Sequence, residues 1–128
     1  MDQVTIPEDV RRFVLTSIPS VPFLEALLLL RADAGRDWQT DMLARRLYIS
    51  ERTAQGLLED LCTAGMAARC APQDCYRYQP ASDALRDRID GLADLYARHL
   101  VEVTMLIHSS LDRKAQQFAD AFKWRKES

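Results

Sequence analysis

ISERTAQGLLEDLCTAGM, from Ile49 to Met66, is the stretch on which the fold turns. Its apolar residues Ala54, Leu57, Leu58 and Leu61 recur at the spacing of a helix with one buried face. Ser50, just ahead, is placed to accept free backbone N–H groups as N-cap, and Gly65 suits the left-handed turn that ends such a helix. The outward side then carries Glu51, Arg52, Gln55, Gly56 and, a turn on, Glu59. One base among acids is a weak approach to a polyanion, and that tension runs through the rest of the chain.

Working upstream, DMLARRL sets Leu43, Ala44 and Leu47 on one face of a short helix, and only YIS separates it from the helix at Ser50. Two short helices joined by so few residues have the organisation of a helix-turn-helix. Before them, Ser20 as cap and Pro22 in the first turn open FLEALLLLR, whose leucines cover most of the circumference and predict a buried central helix stopping near Gly35. Trp38 falls in the link between, on a brief strand or as a cover for the core. TIPE, Thr5 to Glu8, is a capping box for a first amphipathic helix through Val10, Phe13 and Val14 to Ile18. Downstream, MAARC and CYRYQP flank APQD and read as a hairpin.

Helices followed by a two-stranded hairpin are the order of a winged helix. On LARRLYISERTAQGLLEDLCTAGM (Leu43 to Met66) and YRYQPAS (Tyr76 to Ser82), the segment Leu24 to Pro80 resembles the winged-helix domain of bacterial MarR-like transcriptional regulators. The expected fold is therefore mainly α, a winged helix-turn-helix with a small two-stranded β-wing, a long C-terminal helix and a final amphipathic helix. Gly56 and Asp60 depart from the family, standing where its recognition helix often carries basic or polar contact residues; the wing also lacks the family's acidic-x-arginine tip.

The chain divides into an N-terminal helix (1–19), the helix-turn-helix region (20–80) and a C-terminal region (81–128), compact enough as one domain of 128 residues. From Ser82, Leu85, Ile89, Leu92, Tyr96 and Val103 are spaced by threes and fours, predicting one long helix to about His108. A stripe that long needs a partner, so Leu85, Ile89, Leu92, Tyr96 and Val103, with Phe13 of the first helix, are assigned to a homodimer interface. Ser109 or Ser110 then caps a last helix with Leu111, Ala115, Phe118, Ala119 and Phe122 on one side.

Acids and bases balance between Thr40 and Gln79, in a chain whose net charge is −2. Because phosphate neutralisation supplies most nucleic-acid affinity, such a region must gather its bases on one face to bind at all. The candidates are Arg52 and Gln55, with Glu51 and Gly56 beside them, against base edges, and Arg45, Arg46, Arg69 and Arg77 against phosphates. The expected function is a small transcription-regulator-like protein binding double-stranded DNA as a homodimer. The alternative is a winged-helix adaptor that binds a regulatory protein and no DNA.

Three cysteines without framework spacing suit a reducing, cytoplasmic setting without a structural disulfide. Cys70 and Cys75 face each other across the hairpin as a possible redox pair, while C-x4-C alone is a poor metal site. No phosphate loop, nucleophile elbow or carboxylate pair suggests an enzyme, and no cofactor, metal or membrane partner is expected. The longest apolar run, Ala26 to Leu30, is too short to span a bilayer.

Overall fold

The structure, a computed structural model, describes residues 6–70 and 75–127, with side chains described up to residue 121. Thr5 of the expected capping box, the hairpin loop 71–74 and the side chains of Phe122 and Trp124 lie outside the described residues. Among the described residues the chain is mainly helical with one two-stranded antiparallel sheet: α1 (Glu8–Ser17), α2 (Val21–Ala32), α3 (Thr40–Leu47), α4 (Glu51–Thr63), β1 (Ala67–Cys70), β2 (Cys75–Tyr78), α5 (Asp83–Arg98) and α6 (Leu100–Glu127).

Local chemistry explains most boundaries. Ser20, Ser50 and Ser82 each accept a backbone N–H three residues on, from Phe23, Thr53 and Leu85, so that α2, α4 and α5 all open on a serine cap. The α4 helix closes through Gly65 at φ 76°, with Met66 N–H bonded to Leu61 O at 2.9 Å. Between α3 and α4 the same left-handed closure falls on Tyr48, φ 57°, with Ile49 N–H bonded to Ala44 O at 3.1 Å. At that position glycine or asparagine is the usual occupant.

A single cluster of buried side chains joins all the elements. The α2 helix is its axis, with Phe23, Leu24, Ala26, Leu27 and Leu30 buried, and it packs on α3, α4 and β2. Trp38 adds a third extended segment beside the hairpin. Its N–H and C=O exchange hydrogen bonds of 2.7 Å with Tyr76, while Tyr76 pairs with Arg69 on its other side.

The C-terminal region differs from expectation. The helix begun at Asp83 stops at His99 (φ −136°, ψ 57°) rather than near His108, and α6 runs without interruption through Ser109 and Ser110. His99 N–H bonds Leu95 O at 2.7 Å and its own carbonyl accepts Val103 N–H at 3.1 Å, so one residue ends α5 and opens α6. The turn brings Val103 and Ile107 into the chain's own core, where α6 packs on α1 and α5. A straight helix would have carried both side chains past it.

That turn also buries most of the residues expected at a dimer interface. Phe13, Ile89, Leu92, Tyr96 and Val103 are all buried within the single chain, and Leu85 is half-buried against the same cluster. They already have their partners, so they offer a second copy no free face. Among the described residues of α6, Leu100, Val101, Met105, Leu111 and Phe118 are exposed large apolar side chains.

Candidate nucleic-acid interface

The α4 helix is amphipathic in the manner its sequence predicts. Ala54, Leu57, Leu58 and Leu61 are buried, while Glu51, Arg52, Thr53, Glu59 and Asp60 are exposed. Arg52, Gly56 and Glu59 follow one another at i, i+4 and i+7 along the outward line. Arg52 stands in the first turn, next to the unbonded N–H groups of the helix start, where partial positive charge gathers. It makes no ion pair or hydrogen bond among the described residues.

Gln55 is differently placed from the sequence expectation. It is half-buried, and its amide is bonded within the protein: Nε2 donates to Glu59 Oε1 at 2.9 Å and to the Tyr76 hydroxyl at 2.8 Å, and Oε1 accepts from Thr40 Oγ1. Gln55 therefore ties α3, α4 and β2 together. An amide so engaged presents neither donor nor acceptor freely to a base edge, and the reason is its position at 100° from the buried stripe, on the flank that meets the hairpin. Gly56, beside it, has open space where a Cβ would stand, with no atom within 4 Å. Among the described residues no other element approaches the helix there.

The other bases are mostly matched by acids. Arg45 lies 3.6 Å from Asp41, Arg69 3.9 Å from Glu59, and Arg77 is bonded through Nε and Nη2 to Asp37. Arg36 pairs with Asp33 at 3.4 Å and also stands 5.3 Å from the centre of the Trp38 ring; Arg46 covers the same ring at 5.9 Å. All these pairs are solvent-exposed, so each is worth at most about 1 kcal/mol and can be exchanged for a phosphate. Glu51 is exposed at the helix start with no partner among the described residues.

Sequence reasoning missed Tyr48. It is 95% exposed on the turn directly before α4, an aromatic ring in a strained conformation beside Arg52's helix. The only hint in the sequence was a tyrosine at a turn position where small or polar residues are the norm.

The hairpin cysteines are brought together. Cys70 and Cys75 are the last paired residues before the loop, with Cα atoms 5.2 Å apart, and their sulfurs are joined in a disulfide. The expectation of a chain without one fails because antiparallel register sets these residues directly opposite at a separation disulfides accept. Cys62 remains a free thiol, its pKa raised by burial. His99 Nδ1 lies 3.6 Å from Glu102 Oε2, three residues on.

Among the described residues no single helix is long and apolar enough to cross a membrane. Comparison with protein-family models, with curated proteins and with solved structures gives no match.

Proposed function

We propose that residues 20–80 form a winged helix-turn-helix, with α3 and α4 as the helix pair and β1–β2 as the wing, and that the protein is a regulator-like binder of double-stranded DNA. One observation carries the reading: a serine-capped helix presents an unpartnered arginine, Arg52, followed at i+4 by a glycine with nothing over it. That gap admits the sugar-phosphate wall of a groove, and a guanidinium offers two parallel donors to a guanine edge. Arg45 and Arg46 at the end of α3, and Arg69 and Arg77 on the wing, serve as flanking phosphate contacts, once Arg45, Arg69 and Arg77 exchange their carboxylates and Arg46 swings from the Trp38 ring. Gln55 holds the helix against the wing and does not read bases.

A homodimer belongs to the same reading, since a single neutral module makes few phosphate contacts. The second copy meets the exposed apolar residues of α6, and two copies would address half-sites about 34 Å apart.

A second reading rests on a specific observation. Three of the five bases on this face, Arg45, Arg69 and Arg77, are each matched by an acid, and Tyr48 with Val101 and Met105 supplies exposed apolar surface, as a protein-docking module requires.

Fluorescence anisotropy of a mixed-sequence duplex, titrated with protein at several salt concentrations, decides between them. Binding that weakens steeply with salt and is lost in the double variant Arg46→Ala, Arg52→Ala supports DNA. No binding at low salt leaves the docking module.

A further inference from the structure

We propose that, with the hairpin disulfide reduced, Asp37, Cys70 and Cys75 form a binding site for a thiophilic divalent cation of the zinc class. The three groups sit on three adjacent extended segments. Asp37 precedes the Trp38 bridge to β2, Cys75 opens β2, and Cys70 ends β1 opposite it. Backbone pairing, not the sulfur bond alone, sets their separation: the Trp38–Tyr76 hydrogen bonds of 2.7 Å and the register Cys70↔Cys75 are made by main-chain atoms and need no sulfur bond.

The ligand atoms of the three residues all lie within 4.8 Å of one another. A zinc-class ion about 2.3 Å from sulfur and about 2.0 Å from a carboxylate oxygen sets its ligands about 3.5–3.8 Å apart, so small side-chain rotations suffice. Both bonds from Arg77 end on Asp37 Oδ1, which leaves Oδ2 unbonded by Arg77 and open to a cation. A carboxylate held by a second hydrogen-bonding group is the usual support of a metal ligand. Charge also closes: two thiolates and a carboxylate, offset by one guanidinium, leave an excess that a divalent ion cancels. The C-x4-C spacing alone hid this site because its third ligand lies more than thirty residues upstream.

The two states exclude each other. A thiol reductant donates two electrons and two protons to the S–S bond, giving two thiols and the oxidised reductant; the cation then displaces both thiol protons to solvent. Oxidised protein cannot bind.

The test uses the full chain, reduced with a phosphine that does not chelate, and titrated with cobalt(II) as a spectroscopic stand-in for zinc. Reduced protein should develop a thiolate-to-cobalt charge-transfer band that saturates at one ion per chain and is bleached by zinc, while the disulfide form stays silent. Cys70→Ser should abolish the band, Asp37→Asn should weaken binding at least tenfold, and Cys62→Ser should leave it unchanged. Circular dichroism of each variant confirms that it is folded. No band in reduced wild type, a band that survives Cys70→Ser, or equal affinity in Asp37→Asn overturns the site. None of these outcomes depends on whether the protein binds DNA.

Discussion

Gly56 is where stability and function pull apart. Within a helix glycine costs about 1 kcal/mol relative to alanine, and an added Cβ at this position meets nothing. Gly56→Ala should therefore raise unfolding stability by about 0.5–1 kcal/mol in urea denaturation. If a groove wall approaches α4 there, the same variant should bind duplex several-fold more weakly; unchanged binding would place the DNA elsewhere. Gln55 makes the opposite case. Removing its amide leaves the hydroxyl of Tyr76, a side chain only 2% exposed, without its Gln55 donor, so Gln55→Ala should cost about 1–3 kcal/mol. Tyr76→Phe combined with it should cost less than the sum of the two single changes, and strict additivity would deny the bond any energetic weight. The sequence made the outward side of α4 legible at Arg52 and Glu51, which follow from helical period alone. It could not reveal Gln55's partners, because Tyr76 and Thr40 reach it only through tertiary packing.

At the scale of elements, period and caps carried far. Serine caps, the two-stranded hairpin and the buried α2 all follow from local residue chemistry. The break at His99 did not, because the apolar spacing through Tyr96, Val103 and Ile107 is the same for a straight helix and for two helices folded on one core. What chooses between them is α1, which covers both α5 and α6. A hydrogen bond across α2 and α5 helps to hold this arrangement: Tyr96 donates to Glu25 Oε1 at 2.6 Å. Burial first, and then that bond to Glu25, push the Tyr96 phenol up to about 12 from its ordinary 10.0. The sign follows directly. Below pH 10 the phenol is protonated both folded and unfolded; as pH rises from about 10 toward 12, only the unfolded chain releases its proton, and stability falls. Burial shifts Tyr78 in the same direction. Urea midpoints measured across that range should therefore decline in wild type and decline less in Tyr96→Phe; identical profiles would mean that the phenol is not protected.

For the whole molecule, charge and assembly are one question. The region from Thr40 to Gln79 balances its bases with acids, so duplex affinity has to come from placement and from number. In the proposed homodimer a second copy would double the contacts, and the described structure places the residues first expected at its interface in or against the core of the single chain. For the proposed association, the described residues offer α6, whose residues beyond Ser110 are exposed up to Ala121 and continue the stripe of Val103 and Ile107 through Leu111 and Ala115. Cutting the chain after Ser110 should therefore leave a folded chain by circular dichroism, since residues 111–121 are exposed within the single chain, while the urea midpoint loses its dependence on protein concentration. Sedimentation should change nonetheless, from dimer to monomer. Duplex binding then reports the consequence: log affinity falls with log salt at about 0.9 per phosphate contacted, and a monomer with half the contacts should show about half the slope as well as weaker binding. Arg52→Ala in the full chain distinguishes its role further, lowering the slope by about 1 if it meets a phosphate and leaving the slope intact but erasing sequence preference if it meets a base. A truncated chain that remains dimeric, or that keeps the full slope, would move the interface off α6 and require the two recognition helices to be related in some other way.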